Sequence, residues 1–190
     1  MKMKKSSIII IAIVAIAVIW FVGTRNSLVT MREDVRLQQS QVETTLQRRA
    51  DLIPNLVATV KGYASHEEEV FTQIAEARSK LAGSIESGDA EEMAAANAEL
   101  DSALSRLLVV VEQYPELKAN EQFIGLQDEL AGTENRIAIA RQNYNEEVSE
   151  YNSKIQTFPT SIIASMSGFS QEKYFEADES AKDAPVVNFD

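Results

Sequence analysis

The chain has 190 residues, with 18 basic and 29 acidic side chains, and its net charge is −11. After residue 25 it holds 14 basic and 29 acidic side chains, a surplus of 15 negative charges that repels nucleic acid. No cysteine is present, so disulfides and a thioether-linked lipid anchor are excluded.

The first element is an apolar segment near the N-terminus. Residues 8–22 are fifteen consecutive apolar residues, and three lysines precede them. With its small flanking residues the segment covers 6–23, which lies within the range of about 17–25 residues that crosses a bilayer as a helix. We predict a retained transmembrane anchor over 6–23, with the lipid bilayer as its partner. A cleaved secretory signal and a packed core helix are the alternatives.

Basic residues on the two sides of the segment predict its orientation, because lysine and arginine resist translocation. Three lysines lie within the first five residues, whereas the next basic residues, Arg25, Arg32 and Arg36, are spread along the chain. This bias favours a single-pass protein of the cell membrane, with a short N-terminus inside and the body outside the cytoplasm.

The segment after the anchor has an apolar residue at almost every seventh position, which keeps one stripe facing a neighbouring helix. The row contains Leu28, Val35, Val42, Arg49, Leu56 and Tyr63. It predicts that the spanning helix continues as the first helix of a bundle. Pro54 either kinks this helix or begins a new one, and the unchanged phase of the stripe favours the kink.

Three further helices follow. A capping box at Ser65 predicts a helix that ends near Glu86, with Arg78 and Lys80 facing solvent. Asp89 begins the next helix, which ends before residues 114–115, and a long helix follows from about residue 120 to Pro159. Its row of Tyr144, Tyr151 and Phe158 is typical of core packing rather than of a cofactor box or peptide groove.

These elements predict an all-α fold, in which the N-terminal transmembrane helix leads into an antiparallel up-down helical bundle over residues 25–167. Ile162, Ile163, Met166 and Phe169 indicate a short helix packed on the bundle. Residues 168–190 mix aromatic and acidic side chains, and they predict an irregular or disordered C-terminal tail.

The sequence contains few of the histidine and cysteine side chains that commonly act as nucleophiles or bind a metal. His66 is the only histidine and there is no cysteine, so neither a cysteine–histidine nucleophile pair nor a zinc site with several such ligands can form. A glycine-rich phosphate loop is also missing from the sequence. We therefore predict no catalytic residue, no metal and no cofactor.

One charged residue stands out, because Arg49 lies in the apolar row of the first helix. A charge there must be paired or reach water. We predict that Arg49 forms an ion pair with Glu134 that fixes the register of two helices; the alternative is that the guanidinium extends to solvent. Two further candidates, each expected opposite an acid such as Asp51 or Glu112, are Arg136 and Arg141.

Several motifs from about residue 25 to the C-terminus carry a family resemblance. They are RRADLIPNLV at 48–57, VKGYA at 60–64, YPELK at 114–118, GTENRI at 132–137, YN at 144–145 and 151–152, FP at 158–159 and GF at 168–169. In these motifs the chain resembles the LemA family of bacterial membrane proteins.

The resemblance implies a single N-terminal span and an α-helical bundle. The family has no established enzymatic activity and includes a magnetosome-associated branch, which implies organising or adaptor work at membranes. Family descriptions often place the bundle in the cytoplasm, opposite to the side that the lysines favour, and both assignments stay open.

We accordingly predict a membrane-anchored interaction or scaffold module rather than an enzyme, whose partner is a membrane or envelope protein. A carboxylate-based hydrolase-like enzyme is the first alternative. Self-assembly through the apolar rows, giving a homo-oligomer, is the second.

Overall fold

The computed structural model describes residues 5–176, and this part of the chain is helical without a strand. The helices are α1 Lys5–Lys61, α2 Glu68–Ser87, α3 Ala90–Val111, α4 Pro115–Lys118, α5 Glu121–Gln156 and α6 Thr160–Ser167. The predicted all-α class, with an apolar N-terminal helix that leads into a helical bundle, is confirmed. Of the tail expected over 168–190, residues 177–190 lie outside the described residues.

The described chain forms two compact units. The first holds residues 5–38 and 146–172, and the second holds residues 39–145 and 173–176. The core of the first unit includes Leu28, Val35, Val148, Tyr151, Ile155 and Ile163. The core of the second includes Val42, Leu46, Ile53, Ile74, Leu81, Met93, Leu100, Leu107, Phe123 and Ile137.

The apolar segment of α1 has no protein core around it. Its most apolar window has a mean hydropathy of 2.5, and none of that window is buried. Among the described residues, α1 is the one helix long and apolar enough to cross a membrane, by length and composition. A core helix would be surrounded by other side chains, so the packed-core alternative is wrong.

Pro54 lies inside α1 and does not begin a new helix. Because proline has no N–H, it leaves the carbonyl of Ala50, four residues earlier, without its helical donor. The Nε of Arg78 donates to that carbonyl at 2.8 Å. The expectation that Arg78 faces solvent is therefore wrong, since the freed carbonyl holds this side chain against α1.

This contact leads to a prediction for Arg78→Met. We expect the free energy of unfolding to fall by about 1–2 kcal/mol, because the part-buried carbonyl of Ala50 loses its donor. Pro54→Ala restores a backbone N–H, so Arg78→Met should cost less in that background. A double-mutant cycle from thermal unfolding of the detergent-solubilised chain measures the difference. Equal costs in the two backgrounds would contradict this account of Pro54.

α2 and α3 form an antiparallel pair joined by a tight turn. Gly88 ends α2 with a φ of 69°, a left-handed conformation that favours glycine, and its carbonyl accepts from the Gln39 side chain at 2.7 Å. Asp89 caps α3 as predicted, since its side chain accepts from two backbone N–H groups at 2.9 and 3.2 Å. The capping box expected at Ser65 is wrong, because α2 begins at Glu68 and its N-cap is Glu67, which makes no side-chain cap.

Candidate functional site

The strongest candidate site surrounds the buried guanidinium of Arg49. The apolar stripe of α1 is buried on both sides of it, with Leu46 and Ile53 at 0–1% exposure, so the same helical face carries Arg49 inward. Arg49 itself is only 5% exposed. A charge held there needs partners on the facing helices.

Two polar residues of α3 supply the first of these partners. Nη1 of Arg49 donates to Oδ1 of Asn97 at 2.7 Å, and Nη2 pairs with a carboxylate oxygen of Asp101. The amide of Asn97 also donates to the second oxygen of Asp101 at 3.2 Å. Asn97 and Asp101 lie one helical turn apart, so they present a joint acceptor surface to the planar guanidinium.

Glu134 of α5 supplies the second negative charge. Its Oε2 lies 2.8 Å from Nη1 of Arg49. The aligned hydrogen bond of Nη1 goes to Asn97, and Oε2 of Glu134 has no aligned donor in the described structure, so this contact is mainly a charge interaction. The side chains of Asp101 and Glu134 are each nearly half exposed. The buried cation is thus neutralised by carboxylates that keep contact with solvent.

The structure brings together two of the four candidate ion-pair residues, Arg49 and Glu134. Arg136 is exposed on α5 and has no ion pair among the described contacts. Arg141 donates to the backbone oxygen of Glu176 at 3.0 Å instead of meeting an acidic side chain of another helix. The acids expected near these arginines have other partners: Asp51 accepts from Gln47 at 2.9 Å, and Glu112 pairs with Lys118 at 2.6 Å.

Sequence reasoning missed Asn97 and Asp101. The signal was a polar residue in an apolar row, because Asn97 falls between Met93 and Leu100 on the buried face of α3 and is itself 3% exposed. A polar residue at such a position needs a hydrogen-bond partner from another helix. Arg49 on α1 meets that need.

A groove of about 440 Å³ opens beside this cluster. Its walls are largely leucines: Leu56, Leu104, Leu107, Leu108 and Leu130. Its charged lining residues are Arg49, Asp101, Asp128 and Glu134, which together carry two net negative charges. Such a lining is complementary to a ligand segment in which apolar side chains stand next to a lysine or arginine.

The described residues contain no group of three or more histidine, cysteine, aspartate or glutamate side chains that could hold a metal ion. Asp101 and Glu134 instead face the guanidinium between them. What the cluster can do chemically is present fixed charges at the end of an apolar groove.

Residues 173–176 pack on α5 in the second unit. The side-chain amide of Asn145 pairs with the backbone of Phe175 in both directions, at 2.8 and 3.0 Å. Phe175 is 2% exposed, and the guanidinium of Arg141 lies 4.7 Å from its ring centroid. The tail as far as Glu176 is irregular, but it is fixed to the helix by these contacts.

The same segment is also held by its lysine. Nζ of Lys173 lies 3.0 Å from Asp89 and 2.7 Å from Glu91. The hydrogen bond from Lys173, followed by that from the backbone of Glu92, lowers the pKa of the Asp89 carboxyl. The two carboxylates raise the pKa of Lys173.

These shifts predict that acid releases the tail. A carboxyl with a lowered folded pKa stabilises the docked state above its ordinary value of 3.8, and this contribution is lost as the pH falls through the lowered value. We expect a fluorophore on a cysteine introduced at the exposed Tyr174 to become more mobile below about pH 4. Lys173→Met should weaken this pH dependence. An unchanged acid transition in that variant would contradict the role given to Asp89.

The LemA family model matches residues 38–189, a range that includes the Arg49 cluster and begins after the apolar segment. Magnetosome protein MamQ 2 of Paramagnetospirillum magneticum is 30% identical over 94% of this chain and 75% of its own length. Magnetosome protein MamQ of Magnetospirillum gryphiswaldense is 27% identical, with the same coverage. Protein LemA of Metamycoplasma hominis is 27% identical over 93% of this chain and 80% of its own length.

Proposed function

The chain belongs to the LemA family, and we propose that it is a membrane-anchored interaction module whose groove beside Arg49 receives a segment of a protein partner. A single span over residues 6–23 tethers it and the bundle of 25–167 carries the groove. Of the tail over 168–190, residues 172–176 contact the helices. The observation that carries the proposal is an open, leucine-walled groove that ends in a fixed charge cluster.

The chemistry of the groove supports a basic, apolar partner segment. Leu108 and Val109 are exposed large hydrophobic residues on α3, and Leu108 lines the groove. Asp128 adds a third carboxylate at its side. Apolar side chains of the partner would bury against the leucines, and a lysine or arginine beside them would face the carboxylates.

We propose binding rather than catalysis for this groove. The charged groups of the cluster are committed to one another, since Arg49 is shared by Asn97, Asp101 and Glu134. Catalysis by a carboxylate pair needs an acid and a base directed at a bound substrate.

Site-specific crosslinking tests the partner. A photoreactive amino acid at Leu108, in the full chain in its native membrane, should give a discrete adduct of defined mass. The same group at Ile139, an exposed apolar residue of α5 that does not line the groove, is the matched control. Asp128→Lys should weaken the adduct at 108 by reversing a charge. Equal adduct patterns from the two positions would contradict the proposal, and an adduct of twice the chain mass would favour self-assembly.

The side of the membrane decides which partners are available. We propose that the bundle lies outside the cytoplasm, as the three N-terminal lysines favour. Because the chain has no native cysteine, Ser87→Cys at the exposed C-terminal end of α2 gives a single labelling position. Labelling of intact cells by a membrane-impermeant maleimide is the expected result. Labelling only after the cells are lysed would place the bundle inside.

A further inference from the structure

The corner between α5 and α6, in the first unit, exposes three large apolar side chains. Phe158 is 77% exposed, Ile162 is 52% exposed and Met166 is 73% exposed. We call these three residues the apolar shoulder. Ile163 and Ala164 on the opposite side of α6 are buried, so this short helix is apolar on both faces. A surface helix normally turns polar side chains outward, and the shoulder therefore needs an explanation.

The shoulder lies in an uncharged stretch of a highly charged chain. Charged residues make up 25% of the sequence, yet residues 155–171 contain none. The other uncharged stretch of comparable length is 6–24, which includes the proposed span. Both stretches belong to the first unit. A surface that faces a bilayer interior or its boundary is expected to exclude charge in this way.

Within the first unit, α1 and α5 run in opposite directions. Burial is the main cause of a raised pKa at Glu147, and the negative charges of Glu150 and Asp34 add to it, which places Asp34 of α1 near residues 147–150 of α5. Arg32 acts electrostatically on Tyr151, four residues further along α5, and its guanidinium lies 5.0 Å from the ring centroid of Phe169, just after α6. Leu28 and Val35 of α1 and Val148 and Tyr151 of α5 are buried in the core of the same unit. Moving toward the N-terminus of α1 therefore means moving toward the C-terminus of α5.

This pairing sets the level of the shoulder relative to the proposed span. Phe158 follows Tyr151 by seven residues, and Arg25 precedes Arg32 by seven residues. At about 1.5 Å per residue, Arg25 lies roughly 10 Å from Arg32 along α1, and Gln156, the end of α5, lies about 8 Å beyond Tyr151. Phe158 follows in the turn after α5 and so lies at about the height of Arg25. Arg25 is the first charged residue after the apolar segment. The Phe158 end of the shoulder thus lies at the level where α1 leaves the proposed span, and α6 continues from there toward Phe169, whose ring lies 5.0 Å from the guanidinium of Arg32.

The short length of the proposed span also favours a position of the shoulder close to the membrane. Fifteen apolar residues rise about 22 Å as a helix, whereas the hydrocarbon core of a typical bilayer is about 30 Å thick. A short span draws the adjoining protein toward the membrane or thins the bilayer around it. Apolar side chains beside the exit of α1 would then enter the boundary region.

We propose that the apolar shoulder inserts into the boundary between headgroups and acyl chains of the same bilayer that α1 crosses, as a second membrane contact. The proposal rests on the proposed span of α1. Phe158, Ile162 and Met166 lose contact with water on insertion, and no charge within 155–171 has to be desolvated. The contact holds the first unit against the membrane surface, so that the unit is fixed at two points rather than one.

The test uses the full chain in phosphatidylcholine vesicles that contain lipids with a nitroxide near the headgroup. A fluorophore is attached through Met166→Cys, and Ile139→Cys, which is also exposed and apolar, is the matched control. Because nitroxides quench only nearby fluorophores, we expect emission from position 166 to fall by roughly half, as for a group about 5–10 Å into the boundary. Emission from position 139 should stay nearly unchanged. Phe158→Cys provides a second labelled position and should behave like position 166.

Emission from the single tryptophan, Trp20, distinguishes failure of the shoulder contact from failure of the proposed span. Trp20 lies in the apolar segment of α1, so quenching of its emission by the same lipids reports the span itself. If Trp20 is quenched while positions 166 and 139 respond alike, the shoulder contact is wrong and the span stands. If Trp20 is not quenched, the span fails, and the shoulder contact fails with it. A label at 166 that is shielded from an aqueous quencher but unaffected by nitroxide lipids would show that protein covers the shoulder, which also overturns the proposal.

Discussion

Replacement of Arg49 by methionine is expected to lower the free energy of unfolding by about 2–3 kcal/mol, which places it among the most destabilising single changes in this chain. The guanidinium donates hydrogen bonds to Asn97 and Asp101 and balances the charge of Glu134. Without it, two carboxylates lie close together with no cation between them, and the buried amide of Asn97 loses a donor. The expected cost is below that of a fully buried pair because both carboxylates reach solvent.

Circular dichroism of the detergent-solubilised chain during heating measures this effect. For a chain of this size, 1 kcal/mol corresponds to about 2–4 °C in Tm, so we expect Tm to fall by roughly 5–10 °C. Arg48→Met is the matched control, because Arg48 is the preceding residue and its ion pair with Glu129 lies at the surface. That change should cost less than about 1 kcal/mol. Equal losses in the two variants would show that Arg49 has no special structural role.

Phe175→Ala is expected to have an effect of similar size. Replacement of a fully buried phenylalanine by alanine typically costs about 3–5 kcal/mol, and Phe175 is 2% exposed. It also removes the ring beneath Arg141. Because the tail can detach while the helices stay folded, the loss cannot exceed the free energy that keeps the tail docked, and we expect about 2–3 kcal/mol.

Limited proteolysis is the most direct measurement of that loss. Cleavage near residues 172–176 should accelerate by a factor of roughly 30–100 if docking is weakened by this amount. Tyr174→Ala is the control, since Tyr174 is the preceding residue and is exposed. Cleavage of the Phe175 variant at the rate of the control would mean that the buried ring does not hold the tail.

The positions of the long helices could be predicted because the seven-residue apolar rows indicate which face of each helix is buried. At the ends of the rows, however, this indication is wrong. Tyr63 and Phe158 are the last members of two rows, but α1 ends at Lys61 and α5 ends at Gln156, so both residues lie beyond the helix whose phase they continue. Both are exposed, and the prediction of Phe158 as a core residue is therefore wrong.

The contacts that sequence reasoning missed depend on three-dimensional placement. Arg78 lies outside the apolar row of α2, and its role becomes visible only when the carbonyl freed by Pro54 is placed opposite it. In the same way, Asn145 and Asn152 read as polar members of a helix surface. Each pairs through its side-chain amide with an irregular backbone segment, at Phe175 and Glu172 respectively, and nothing in a helical period predicts such a pairing.

The continuity of α1 from Lys5 to Lys61 means that no loop separates the apolar segment from the first packed turns at Leu28 and Val35. In the proposed arrangement, rotation of this segment in the bilayer is therefore transmitted directly to the part of the first unit that packs on it. A single alanine inserted after Thr24 would swing that part through about 100°, the angular step of one helical residue, and carry Phe158 and Met166 away from their original azimuth. If the shoulder contacts lipid as we propose, the number of residues between Val22 and Leu28 therefore sets which side of the protein meets the bilayer.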